Sequence, residues 1–161
     1  MKSSRLALTM PMVLALMTAG PSGPDTGEAE RLMGVRVMPG AVVLRDRILY
    51  EGGRVVVLPT TTEDFDSCPS GWVCLFAGTS WQGTMVQFSS CCAWNDLSSY
   101  GFDNVASSWR NRKNVDAQIA TGSGGGGSRL CLNNNDSSST MPAGWDNVAS
   151  SIRVRDAGTY C

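Results

Sequence analysis

The chain contains no histidine, and charged residues make up only 17% of its 161 positions. Without histidine there is no Ser–His or Cys–His pair to activate a nucleophile, and no imidazole to hold a catalytic metal. Cys-x-x-Cys spacing is absent too, which leaves a zinc site short of ligands. Beyond residue 20 no apolar run is long enough to cross a membrane. A basic stripe and a basic amphipathic helix are both missing, so nucleic acid and anionic membranes are not expected partners. No long segment carries a 3.6-residue apolar period, which argues against a helical bundle. Glu63, Asp64 and Asp66 could imitate a carboxylate pair, but they sit in the polar connector Pro59 to Ser67 and read as a solvated loop. The chain is therefore not expected to be an enzyme.

What is present points to export. Lys2 and Arg5 precede the apolar run Leu6 to Gly20, which ends in small residues. That is the pattern of a signal peptide over residues 1–20. Its removal takes two positive charges and leaves 11 basic against 14 acidic residues, a net charge of −3. All six cysteines, Cys68, Cys74, Cys91, Cys92, Cys131 and Cys161, lie after it. An even number in an exported chain reads as disulfides. The expected pairing joins Cys68 to Cys74, one of Cys91 and Cys92 to Cys131, and the other to Cys161.

Residues 21–34 have linker composition and are expected to be disordered. Residues 35–67 hold a hairpin signal around Gly52-Gly53, flanked by "RILYE" and "RVVVLP". That segment reads either as a pro-segment or as a hairpin added to the main sheet. The main domain is expected over 68–161. Within it, short apolar runs are broken by Gly, Ser and Asn every ten residues or so, the spacing of an all-β sandwich.

One sentence is written twice. "GFDNVASSWRNR" runs from Gly101 to Arg112 and "GWDNVASSIRVR" from Gly144 to Arg155, identical at nine of twelve positions. A shift of 43 residues, without gaps, carries the likeness further and sets Phe76 on Ile119, Gly83 on Gly126, Phe88 on Cys131 and Trp109 on Ile152. Two copies are too few for a solenoid and suit a pseudo-twofold sandwich, with motif 1 over about 68–115 and motif 2 over about 116–155. In this register "GSGGGGS", Gly122 to Ser128, becomes a tight hairpin turn, although its composition also suits a flexible linker.

The repeated sentence supplies Asp103, Asn104, Ser107 and Ser108, and again Asp146, Asn147, Ser150 and Ser151. These are oxygen donors only, the set that suits Ca²⁺. The same residues also serve as plain turn caps, which a duplicated fold would repeat without any metal.

"DNVASS" resembles the βγ-crystallin calcium motif, and "FAGTSWQG", Phe76 to Gly83, resembles that family's aromatic–glycine hairpin. The second copy, Ile119 to Gly126, lacks both aromatics. The resemblance implies two Greek keys in an all-β sandwich with two paired calcium sites. It implies side-chain ligation by Ser107 and Ser150 and carbonyl ligation by Val105 and Val148. Asp103, Asn104, Asp146 and Asn147 would line the sites, and Ser108 and Ser151 would fasten the folded hairpins. The opening "CPSGWVCLF", Cys68 to Phe76, resembles secreted bacterial proteins of peptidase inhibitor family thirty-six. That likeness implies a monomeric, extracellular inhibitor with a metalloproteinase as its partner. Loops beside cysteines, Pro69 to Val73 and Ser89 to Leu97, are the candidate contacts, with Trp94 as an anchor. The competing expectation is an extracellular calcium-binding structural module with no inhibitory activity.

Overall fold

A computed structural model of the chain describes residues 26–44, 46–51, 55–60 and 65–161. One helix, α1 (Thr26–Met33), precedes eleven strands. These are β1 (Val42–Val43), β2 (Ile48–Tyr50), β3 (Val55–Thr60), β4 (Val73–Phe76), β5 (Gly83–Phe88), β6 (Asn95–Asp96), β7 (Ser108–Asn111), β8 (Ala117–Ala120), β9 (Arg129–Leu132), β10 (Ser137–Ser138) and β11 (Ser151–Val154). Strand alternation sorts the apolar residues by face. On β4, Val73 and Leu75 enter the central core, while Cys74 and Phe76 join a smaller outer cluster with Cys68 and Met85. The central core also holds Val86 and Phe88 of β5, Ile119 of β8, Leu132 of β9 and Ile152 and Val154 of β11.

The two antiparallel sheets run in the orders β1-β2-β3-β5-β4-β7-β10 and β6-β11-β8-β9. Each half exchanges its third strand: β10 of motif 2 pairs with β7, and β6 of motif 1 pairs with β11. The expected pair of Greek keys is thus present, locked by this reciprocal exchange. No helix among the described residues is long and apolar enough to cross a membrane.

Several expectations change. Residues 21–34 are not all linker, because α1 occupies Thr26–Met33. Glu30 Oε1, within it, accepts the N–H of Val37, beyond its end, at 2.8 Å. The segment from 35 onward is a hairpin added to the main sheet: β2 pairs with β3, and β3 pairs with β5 from Val55↔Phe88 to Thr60↔Gly83. The signal peptide, residues 21–25, Gly52-Gly53, Glu63 and Asp64 lie outside the described residues.

The gapless register also needs correction. Ser108 pairs with Phe76, and its counterpart Ser151 pairs with Ala120 rather than Ile119. Gly78 N–H donates to Gln82 O at 2.9 Å, and Gly122 N–H donates to Gly126 O at the same distance. The first two strands of the halves are therefore offset by 44 residues, and the last two by 43. One residue is lost between β9 and β10. A slip of one residue exchanges strand faces, so the aromatic position Trp81 corresponds to Gly125.

The disulfides are Cys68–Cys74, Cys91–Cys92 and Cys131–Cys161. Only the first was expected. The Cys92 N–H donates to Val154 O at 2.9 Å, beside β11 on the side away from β8. Two strands then separate Cys92 from Cys131 on β9. At about 4.8 Å per strand that gap is roughly 14 Å, twice the Cα separation that a disulfide spans.

Candidate functional site

The two copies of "DNVASS" meet across the pseudo-twofold axis. Asn104 N–H donates to Ala149 O at 2.9 Å, and Asn147 N–H donates to Ala106 O at 3.0 Å. Both asparagines take left-handed backbone, with φ of 56° and 55°, which asparagine tolerates better than most residues. The side chains cross in the same way. Ser107 Oγ donates to Asn147 Oδ1 at 3.2 Å, and Ser150 Oγ donates to Asn104 Oδ1 at 3.4 Å. Each amide also donates to the neighbouring carboxylate, Asn104 to Asp103 at 3.1 Å and Asn147 to Asp146 at 3.3 Å. The carbonyls of Val105 and Val148 accept no hydrogen bond among the described residues. Ser107 with Asn147 and Asp146, and Ser150 with Asn104 and Asp103, are thus brought to two equivalent corners, each drawing on both motifs. The carbonyl partners Ala106 and Ala149 were not singled out in the sequence.

Ser108 and Ser151 do a different job. Ser108 Oγ donates to Gly78 O and Ser151 Oγ donates to Gly122 O, both at 2.6 Å. Each hydroxyl also accepts a backbone N–H from its hairpin, from Trp81 at 3.2 Å and Gly125 at 3.0 Å. In the first hairpin Trp81 donates its indole N–H to Trp109 O at 3.2 Å. In the second, the place of that tryptophan is taken by Gly125.

Of the two candidate loops, Pro69 to Val73 is tightly held and exposes Pro69, Ser70 and Gly71. The Cys68–Cys74 bridge closes it, with Trp72 N–H on Pro69 O at 3.2 Å and Gly71 N–H on Arg112 O at 2.9 Å. Arg112 donates to Cys68 O at 2.9 Å. Lys113 Nζ donates to Gly71 O at 2.8 Å and to Ser89 O at 2.9 Å, tying the two loops together. Burial pulls the pKa of this ammonium down. Trp94 in the second loop is half-buried, lying over Gly125 with Arg129 and Arg153 at 5.4 and 4.9 Å from its ring centre. Asp66, the one described member of the acidic cluster, pairs with Arg110 at 3.2 Å. Arg153 and Arg155 were missed in the sequence, although the alternation of "SIRVR" sets both on one face.

Comparison with known proteins bears on both parts of the molecule. No curated protein matches the chain significantly. A solved structure described as "Evolution of the eye lens beta-gamma-crystallin domain fold" is 21% identical over 61% of this chain and 95% of its own, with a TM-score of 0.51. A βγ-crystallin from Ciona intestinalis is 20% identical, covering 52% of this chain and 99% of its own, with a TM-score of 0.46. A βγ-crystallin domain from Flavobacterium johnsoniae is 21% identical, with 54% and 97% covered and a TM-score of 0.45. Residues 61–123, from the connector before β4 to the turn after β8, match the model of peptidase inhibitor family I36. Over residues 61–123 the chain is thus similar to peptidase inhibitor family I36, and its fold is of the βγ-crystallin kind.

Proposed function

We propose that the protein is a secreted inhibitor of metalloproteinases, built on a calcium-binding scaffold. The observation that carries inhibition is the family match over residues 61–123, which contains both candidate loops. The physical logic is pre-organisation. A loop already fixed by a disulfide and by three hydrogen-bonding neighbours loses little entropy on docking. Pro69–Gly71 meets that description best, with Ser89–Leu97 beside it through Lys113. Trp94 contributes only the part of its ring left uncovered by Gly125.

Calcium is supported separately by the crossed Ser107–Asn147 and Ser150–Asn104 pairs, together with the unengaged carbonyls of Val148 and Val105. A hydroxyl, a carbonyl, an amide oxygen and a carboxylate per corner are fewer than the six to eight oxygens that calcium takes, so water would complete the shell. The same pairs also favour a second reading, a calcium-stabilised extracellular module with no inhibitory activity. Three disulfides suit an oxidising exterior in either case.

Titration of a thermolysin-like metalloproteinase with the secreted protein separates the readings. Residual activity is expected to fall in proportion to added protein. Full activity of several metalloproteinases at about ten micromolar protein, a concentration far above the Kd of ordinary inhibitor complexes, would sink the inhibitor reading. Inhibition confined to a serine peptidase would overturn the choice of target.

A further inference from the structure

The second sheet carries a basic face without an ion pair among the described residues. Arg153 and Arg155 of the β11 region share one acceptor, Gln118 Oε1, at 3.0 and 3.2 Å. Arg155 also donates to Tyr160 O at 2.9 Å, and Arg129 donates to Gly125 O at 2.8 Å. Among the described residues none of these three guanidiniums forms a salt bridge. The buried Nε–H groups of Arg153 and Arg155 have no acceptor among the described residues. Gathering like charges without an ion pair is costly, and unsatisfied buried donors add to that cost. Burial first, and then Arg155 and Arg129, pull the pKa of Arg153 down.

An open cavity of about 280 Å³ lies against this face, lined by Cys92, Arg153, Arg155, Asp156 and Thr159. Its walls are fixed by the two disulfides whose pairing differs from the expected one. The Cys91–Cys92 bridge holds one wall against Val154 through the Cys92 N–H, at 2.9 Å. The Cys131–Cys161 bridge anchors the C-terminal turn that forms the other, with Cys161 N–H on Asp116 Oδ2 at 2.8 Å. Asp156 is the one carboxylate in the lining, and its Oδ1 is taken by the Ala157 N–H at 2.8 Å.

We infer that this cavity is a carboxylate-binding site, in which Arg153 and Arg155 receive an acidic side chain of an extended peptide and Arg129 extends the field. A planar guanidinium offers parallel N–H donors that match a carboxylate in two-point geometry. Two of them side by side, with acceptors too few for their donors, form a receptor for that group. The site is separate from the calcium corners and does not depend on inhibition.

Calorimetry on the full secreted chain tests it, in calcium-free Tris chloride. The probes are a capped triglutamate peptide, a capped triglutamine peptide and inorganic phosphate. Triglutamate is expected to bind saturably and more weakly as salt rises. Arg153→Gln and Arg155→Gln should each weaken it about tenfold, the loss of one charge-assisted hydrogen bond. Arg155→Lys, which keeps charge and stem, should weaken it less and guards against a folding defect. Arg110→Gln, on the other sheet, should leave it unchanged. Equal binding of triglutamine, or undiminished binding to the double glutamine variant, overturns the site. Tighter binding of phosphate than of triglutamate overturns the carboxylate assignment.

Discussion

Gly125 has no side chain because Trp94 occupies the space where one would be. A Cβ built there would lie 2.2 Å from Trp94 Cε2, and the backbone φ is +83°. Gly124, its neighbour, also has positive φ, at +60°, but meets nothing within 4 Å. The pair separates strain from collision. Gly124→Ala should cost about 1 kcal/mol, the usual penalty for a side chain at positive φ. Gly125→Ala should cost about 1–3 kcal/mol more, because the indole must leave its seat. Denaturant unfolding of both variants checks this, and equal losses would show that the indole is not held there. This arrangement could be only half read from the sequence. Loss of an aromatic from the second hairpin was visible, but which glycine stood in its place depended on a one-residue offset. Nor could linear order reveal that a tryptophan from the other motif covers it.

At the scale of elements, the N-terminal strands behave as part of the sandwich. Ile48, Tyr50, Val55 and Val57 all lie in the central core. Tyr100 donates to Glu51 Oε1 at 2.6 Å, and its ring meets Tyr50 edge-on at 5.2 Å. Gly101 lets the backbone pass close, since a Cβ there would sit 2.6 Å from Arg36 O, whereas its repeat partner Gly144 faces open space. Ile48→Ala should therefore destabilise the whole domain by about 2–5 kcal/mol, the range for truncating a buried aliphatic residue. Val42→Ala, at a position 57% exposed, should change little. A thermal melt in which Ile48→Ala matches the unaltered chain would mean that the segment is dispensable, as a pro-segment would be. The hairpin was legible because Val, Ile and Tyr flank a Gly-Gly pair in the sequence. The short helix α1 was not, because eight residues make too few turns for a helical period to stand out, and so short a helix is marginal on local propensity alone. The offset between the halves escaped for a related reason. The identical sentence covers the last strand of each motif and fixes that register alone, while the compensating loss lies in a polar turn with no pattern to mark it.

For the molecule as a whole, the two corners sit where the motifs meet, so a ligand bound at either one clamps both Greek keys together. Calcium held only by the folded protein raises stability by mass action, by about 2.7 kcal/mol per site at a hundredfold excess over Kd. In a domain of this size that corresponds to several degrees in Tm. Millimolar calcium should raise the melting temperature relative to chelator. Each corner takes its hydroxyl from a different motif, Ser107 in one and Ser150 in the other, so the contributions should separate. Ser150→Arg places a cation in a half-buried corner and should remove about half of the calcium-dependent stabilisation. Adding Ser107→Ala should reduce most of what is left, since alanine at that buried position deletes a ligand without adding volume. The chelated form of either variant should melt close to the chelated parent, because each hydroxyl makes one long hydrogen bond there, worth about 1 kcal/mol or less. A parent melting temperature that is the same in calcium and in chelator would leave the crossed pairs as turn caps alone. A calcium shift that survives both substitutions would place the ion elsewhere in the molecule.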